Sequence, residues 1–424
     1  MKSIKVGLLG IGTVGEGTFN VLKRNQPEIR RRAGRGIEIT MVSARNLERA
    51  AQRTRGECEV VADPFEIVNS PDIDIVIELI GGYELAYELV MQAIANGKHV
   101  VTANKALLAL HGNEIFAAAQ AKGVMVAFEA AVAGGIPIIK ALREGLTANR
   151  IESVAGIING TTNFILSEMR DKGLDFATVL KQAQELGYAE ADPTFDIEGV
   201  DAAHKLTIMS AIAFGIPVQF DKAHVEGISK LEAIDIRYAE QLGYRIKLLG
   251  ITKRAVVNGV EGIELRVHPT LIPNKRLIAN VEGAMNAVLV HGDAVGASLY
   301  SGRGAGAEPT ASSVIADLVD ITRLATASPE FRVPHLAFQP NQMTDVEILP
   351  MSEITTSYYM RVYVKDQLGV MADLTRILAD ARISIDAVLQ KEPAEGETRL
   401  DIIILTHQTQ EKNIDAAIVK IEAM

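Results

Sequence analysis

The start of the chain constrains the fold most. Gly10-Ile11-Gly12-Thr13-Val14-Gly15 follows the apolar run 6–9 and leads into a helical stretch. A short strand that enters a glycine turn and then a helix is the opening of a dinucleotide-binding unit. Gly10 permits the tight turn, Gly12 lets backbone approach a pyrophosphate, and Gly15 lets the helix lie close on the strand. Over Thr13, Val14 and Gly15, the helix start offers unpaired N–H groups and a favourable dipole to the phosphates.

Residues 37–42, 73–79, 99–102 and 124–128 are further short runs rich in Val and Ile. Strands buried on both faces read this way. Between them, 86–95 and 114–121 are Ala-rich and helical in propensity. This alternation predicts an α/β domain over 1–129, a doubly wound parallel sheet of the Rossmann type. The end of the second strand bears on the nucleotide. An NAD site usually places an acid there, whereas Met41-Val42-Ser43-Ala44-Arg45-Asn46 has none. Arg45 would hold a 2′-phosphate by a charge-assisted fork, which favours NADP(H) and leaves NAD(H) as the alternative if Arg45 is only a surface residue.

Charge narrows the partners. Lys and Arg number 43 against 53 Asp and Glu, a net charge of −10, which argues against nucleic acid. The basic run Lys23, Arg24, Arg30, Arg31, Arg32 and Arg35 reads as a solvated helix face. No apolar stretch reaches the roughly 18 residues of a membrane span, and Gly7, Gly10, Gly12 and Gly15 break any signal-like core. The single cysteine, Cys58, forms no internal disulfide, so a reducing, cytoplasmic setting is expected.

From 130 to 305 the pattern changes. Helical segments at 138–148, 162–170, 176–186 and 201–214 precede alternating stretches at 244–251, 262–268 and 286–291. They predict a central α+β domain with an antiparallel sheet, while a helix at about 306–326 packs back on the first domain. Pro329, Pro334, Pro340 and Pro350 mark a connector over 327–350. The tail, 351–424, reads as a small β-α-β-β-α domain.

Two lysines lie among carboxylates. Reducing an aldehyde needs a proton for the developing alkoxide, and a lysine beside the carbonyl can supply it. Lys105 follows the strand 99–102, at the carboxyl edge where such sheets bind ligands. Lys205 stands one helical turn after Asp201, on a shared face in the favourable order. Glu190, Asp192, Asp196 and Glu198 precede that helix in an irregular loop suited to an ammonium-bearing substrate. By chemistry alone, a solvated lysine at Lys105 and a surface ion pair at Asp201 and Lys205 both remain open. His204 faces elsewhere and reads as structural.

The stretch from Ala183 through Gly187, Glu190, Asp196 and Asp201 to Lys205 resembles the signature of homoserine dehydrogenases. So do Gly156-Ile157-Ile158-Asn159-Gly160-Thr161-Thr162-Asn163, Thr102-Ala103-Asn104-Lys105 and Gly302-Arg303-Gly304-Ala305-Gly306. The likeness runs from about 5 to 323. It implies NAD(P)-dependent interconversion of L-homoserine and L-aspartate 4-semialdehyde, on the route to threonine, methionine and isoleucine. It implies Lys205 as proton donor, Lys105 as a second catalytic lysine, and Gly187, Glu190, Asp196 and Asp201 as substrate-binding residues. For the cofactor it adds Thr102, Lys105 and Gly304 to the glycine loop. A monovalent cation, Na⁺, is implied at Glu129, Val132, Gly134 and Ile136, mostly on backbone carbonyls.

The tail resembles an ACT domain, with Asp366-Gln367-Leu368-Gly369-Val370 as its first turn. This implies threonine as an effector and a homodimer or homotetramer. The usual last strand of that fold is absent from the pattern, so a purely dimerising tail stays open. Rival functions are a dehydrogenase of another small amino-acid aldehyde and a non-catalytic sensor of nucleotide and amino acid.

Overall fold

The computed structural model describes residues 2–391 and 398–424. The first sheet is built from β1 (Ile4–Leu9), β2 (Ile37–Ser43), β3 (Glu59–Val61), β4 (Ile75–Glu78), β5 (His99–Thr102) and β6 (Val126–Ala127). All neighbours are parallel, in the order β3-β2-β1-β4-β5-β6. The connections between these strands run through α1 (Thr13–Arg24), α2 (Gln26–Ala33), α3 (Leu47–Arg53), α4 (Pro64–Asn69), α5 (Glu84–Ala95) and α6 (Lys105–Lys122). The sequence pattern predicts five strands, and the structure has six. The additional strand, β3, is three residues at an edge, too short to carry a period.

The basic run is solvent-facing, and it pairs with acids: Arg31 and Arg32 with Glu28, and Arg24 with Glu308 at 2.8 Å. The last pair ties α1 to α13 (Ala307–Leu324), the helix that returns to the first sheet. Gly17 makes that return possible, since a Cβ there would stand 2.6 Å from the Ala307 carbonyl.

In the central region the expected helix 138–148 is instead one turn, α7 (Ile138–Lys140), that widens into a π turn over Ala141–Gly145. The second sheet runs β12-β11-β7-β9-β10-β8. Its strands are β7 (Ile151–Ile157), β8 (His224–Val225), β9 (Tyr244–Val257), β10 (Val260–Pro273), β11 (Met285–Gly292) and β12 (Gly296–Arg303). It is antiparallel except for β8, which pairs parallel with β10, and it contains the strands β7, β8 and β12 that the pattern does not reveal. In β7, small residues such as Ser153, Ala155 and Gly156 blur the alternation. Helices α8 (Gly160–Lys172), α9 (Phe176–Glu185), α10 (Thr194–Ile197), α11 (Val200–Phe214) and α12 (Ala233–Gln241) complete this region. Helix α11 is almost wholly buried between the two sheets, on β7, β9 and β10 and against α6.

The connector is ordered by contacts rather than by period. His335 accepts a hydrogen bond from the backbone N–H of Val126, and Ile348 bridges to Ile263. The tail contains the two-residue strands β13 (Thr355–Thr356) and β17 (Thr409–Gln410), which pair with each other. Its main sheet has the order β14-β16-β15, from β14 (Tyr359–Lys365), β15 (Ile385–Gln390) and β16 (Arg399–Thr406). With α14 (Val370–Asp380) and α15 (Glu411–Glu422) it gives the βαββα order read from sequence. Among the described residues, no helix is long and apolar enough to cross a membrane.

Candidate active site and cofactor cleft

Strand β1 delivers the glycine loop to the carboxyl edge of the first sheet. Gly10 has φ +93°, and a Cβ on Gly15 would stand 2.2 Å from the Gly10 carbonyl, while none would crowd Gly12. Each glycine therefore does what its place in the motif requires. Gly15→Ala is expected to push α1 off the turn and raise the KM for a dinucleotide bound at the loop at least about tenfold, with the KM for a co-substrate bound elsewhere little changed. Steady-state rates with each substrate varied in turn check this.

A cleft of about 940 Å³ lies beside the loop, between Gly10–Gly12, the end of β2 and residues 79–85. Arg45, Arg49 and Arg53 line it, four residues apart in sequence, the first just before α3 and the last at its end. Arg53 also donates to the carbonyl of Ile11 and pairs with Glu16 at 3.0 Å. Sequence reasoning singled out Arg45 alone, although the fourfold spacing of the three arginines is visible in the sequence. No acid stands at the end of β2, so the donors fit a nucleotide with an added phosphate.

At the other end of the cleft a buried relay leads toward chemistry. Glu78, at the end of β4 and fully buried, accepts from Thr102 Oγ1 at 2.7 Å and from the Ile80 N–H at 3.0 Å. Burial pushes its carboxyl above the usual range. Thr102 Oγ1 in turn accepts from the Asn104 N–H at 3.0 Å, and Asn104 caps α6 by accepting from the Leu107 N–H. Asn104 also donates to the Gly82 carbonyl on the cleft wall. Lys105 is the first residue of α6, so the relay fixes where its stem leaves the backbone. The Thr102 hydroxyl is thus engaged within the protein, and Glu78 reads in the sequence only as the polar end of an apolar run.

The two lysines meet on one carboxylate. Asp201 Oδ2 accepts from Lys205 Nζ at 2.7 Å, and Asp201 Oδ1 lies 3.2 Å from Lys105 Nζ. Lys205 Nζ also donates to the Ile158 carbonyl at 2.8 Å. Asn159 Nδ2 bridges Asp201 and Asp196, at 2.9 and 2.7 Å. Gly199, with φ +82°, turns the acidic loop into α11 and so brings Asp196 back onto the group. Burial would raise the Asp201 carboxyl, but the charges of Lys205 and Lys105 outweigh it and bring it down to about 2. Burial lowers the Lys205 ammonium against the pull of Asp201, and it raises Asp196, which Asp201 repels. Lys105 is a third exposed, with Nζ 5.8 Å from the centre of the Phe195 ring.

His204 points away into an aromatic pocket, edge-on to Phe195 and Phe220, and burial lowers its imidazole to about 4. The structural reading of His204 matches this placement. Gly187 (φ +77°) and Glu190 lie on the exposed loop after α9. The loop is tied to the site by Thr161 Oγ1, which donates to the Tyr188 carbonyl at 2.8 Å and lies 3.3 Å from Asp196. The Glu190 carboxylate makes no hydrogen bond or ion pair to the two lysines among the described residues.

Glu129, Val132, Gly134 and Ile136 follow β6 in a tight turn, with Ala133 and Gly134 both at positive φ. Gly134 packs on the carbonyl of Gly304, which would lie 2.3 Å from a Cβ. The carbonyl of Gly134 accepts from Ser313 Oγ at 2.6 Å and that of Ile136 from the Ile138 N–H at 2.7 Å, each keeping a second lone pair. The Glu129 carboxylate is turned away, accepting from the N–H groups of Ile139 and Lys140. Carbonyl oxygens suit a hard monovalent cation. No group of three His, Cys, Asp or Glu side chains gathers as a metal site among the described residues.

Comparison with known proteins identifies the family and the fold. Residues 137–319 match a family model described as homoserine dehydrogenase, 10–129 its NAD binding domain, and 358–423 an ACT domain. The chain is 61% identical to a homoserine dehydrogenase of Pseudomonas aeruginosa and 59% identical to one of Neisseria gonorrhoeae. Each match spans all of this chain and 96% of the relative. The crystal structure of a homoserine dehydrogenase from Thiobacillus denitrificans superposes with a TM-score of 0.95 at 69% identity, over 100% of this chain and 96% of that one. A hyperthermophilic archaeal homoserine dehydrogenase in complex with NADPH matches with a TM-score of 0.64 at 25% identity, over 77% of this chain and 99% of that one.

Proposed function

This chain belongs to the homoserine dehydrogenase family and interconverts L-homoserine and L-aspartate 4-semialdehyde on an NAD-binding domain, and on that premise we propose that NADP(H) is its preferred cofactor and Lys205 its proton donor. The observation that carries the mechanism is Asp201 held between Lys205 and Lys105. When bound, the nicotinamide supplies the hydride. Lys205 gives its proton to the developing alkoxide in reduction and takes it back in oxidation. Lys105 presents a second positive charge to the carbonyl oxygen from the cofactor side. Asp196, Asp201, Gly187 and Glu190 form the substrate pocket, with Glu190 free to reach the ammonium of homoserine. The sensor reading is abandoned with the family established, and substrate identity closes the other-aldehyde alternative.

Arg45 and Arg49 hold the 2′-phosphate, Arg53 braces the glycine loop, and Gly12, Thr13 and Val14 receive the pyrophosphate. The archaeal relative's NADPH complex supports the choice. Arg45→Ala is expected to raise the KM for NADPH about tenfold and leave that for NADH nearly unchanged, the loss of one charge-assisted phosphate contact. Equal losses for both cofactors would sink the assignment.

Na⁺ would sit on the carbonyls of Glu129, Val132, Gly134 and Ile136, bracing the approach of the two glycine turns. The functional units are 1–129 with the helix at about 306–326, 130–305, the connector 327–350 and the regulatory tail 351–424. The tail takes an amino acid, threonine, as effector within a cytoplasmic homodimer or homotetramer. The deciding assay follows reduced-nicotinamide absorbance during homoserine oxidation, with NADP and NAD in parallel and with or without threonine. Faster turnover with NADP and a threonine effect are the expected results.

A further inference from the structure

A second cavity, about 720 Å³ in volume, lies between β10 and the tail. That is within the range of small-molecule sites. Arg266, Glu226 and Glu198 wall it from the catalytic side, and Tyr358, Thr406 and Glu411 from the tail. Arg361 clamps the two sides together next to it, binding Asp235 at 2.7 Å and Glu232 at 2.8 Å at the start of α12.

Arg266 is the unusual member of that wall. It is 4% exposed, and its Nε bonds Glu264 at 3.1 Å, while Glu264 is itself paired with Lys253 at 3.0 Å. Its Nη1 donates to Nε2 of His268, whose Nδ1–H is taken by the Pro269 carbonyl at 2.9 Å. The imidazole is therefore neutral, and burial with the Arg266 charge lowers it to about 4. This leaves Nη2 of a buried guanidinium without a hydrogen-bond partner among the described residues, in a residue that lines the cavity. Such a donor fits a carboxylate. Glu226, whose carboxylate already meets His224 Nε2 at 2.9 Å, and Glu198 line the same cavity and keep lone pairs as acceptors for an ammonium group.

The same lining is also the back of the active site. Gly227 lies so close to Ile197 and Glu198 that a Cβ would stand 2.2 Å from the Ile197 carbonyl, and the Ile228 N–H donates to that same carbonyl at 2.8 Å. Ile197 and Glu198 connect Asp196 to Gly199, the turn that starts the helix carrying Asp201 and Lys205.

We propose that this cavity is an effector site for a small α-amino acid, its carboxylate on Arg266 and its ammonium on Glu198 and Glu226, coupled to catalysis through the contact of 226–228 with 197–199. The site rests on the reading of the tail as an amino-acid sensor, but it lies on the catalytic wall rather than at the turn Asp366–Val370. A ligand bound there alters the catalytic loop only by its differential affinity for two arrangements of that contact.

The test uses the full chain, calorimetry with L-threonine, L-methionine, L-lysine and acetate, and two variants. Arg266→Met leaves Glu264 its partner Lys253. Ser357→Trp places a fluorophore on the cavity rim of a chain that has no tryptophan. At least one of the amino acids is expected to bind and to raise the KM for homoserine, whereas acetate binds more weakly. Arg266→Met should weaken that binding about tenfold, as loss of a charged hydrogen bond does. The Ser357→Trp emission should change with the same midpoint as the heat. Binding to which both variants are blind would place the effector elsewhere and overturn the cavity, leaving amino-acid sensing intact. No heat with any of the amino acids would overturn both. If Arg266→Met fails to fold, the fluorescence of Ser357→Trp decides alone.

Discussion

Lys205→Ala is expected to lower kcat for homoserine oxidation and for semialdehyde reduction by roughly 10³-fold, in the span usual for a positioned general acid or base. The affinity for NADPH, measured by equilibrium binding, should stay within about twofold of wild type, a change of only a few tenths of a kcal/mol. The two readouts separate because Lys205 stands on α11 and its contacts run to Asp201 and Ile158, not to the glycine loop or to α3. Folding should survive. Asp201 keeps Lys105 at 3.2 Å and Asn159 at 2.9 Å, so no unpaired buried carboxylate remains. A variant with near-normal turnover would remove Lys205 from the proton-donor role and shift it to Lys105.

What made this centre legible in the sequence was local spacing. Asp201 and Lys205 share a helix face, and the glycine loop is a contiguous motif, so both could be placed before any tertiary contact was known. Lys105 was locatable because a strand end in a doubly wound sheet is a ligand edge. That the two lysines share one carboxylate was not legible. It depends on the packing of α6 against α11, elements about a hundred residues apart in the chain. Glu78 and Arg53 were missed for a related reason. Their partners, Thr102 and the Ile11 carbonyl, lie on other strands and turns, and no periodicity records a cross-strand hydrogen bond. The same limit hid β3, β7 and β8, whose short or small-residue segments become strands because a neighbour offers hydrogen bonds. Arg266 sits in an alternating stretch that sequence reading recognised as strand, yet nothing local shows that its guanidinium faces a cavity.

Asp201→Asn is the sharper test of how the centre works, because it keeps the shape and removes the charge. Asparagine can still meet Asn159, but it no longer holds two ammonium groups, and kcat should fall by about 10²-fold. The diagnostic is the pH profile. Burial lowers the Lys205 ammonium and Asp201 raises it, with Lys105 lowering it further. Losing the carboxylate therefore drives the Lys205 pKa down. Reduction needs the protonated amine, so its activity is present below that pKa and lost as pH rises through it. The falling limb of reduction moves to lower pH in the variant. Oxidation needs the neutral amine, so its rising limb moves to lower pH as well, and the relative loss in oxidation shrinks on the acid side. Both limbs are expected to move together by at least one unit, each unit corresponding to about 1.4 kcal/mol of lost charge stabilisation. A merely structural role for Asp201 would depress the rates and leave the limbs in place, whereas opposite movement of the two limbs would show that another group carries the proton.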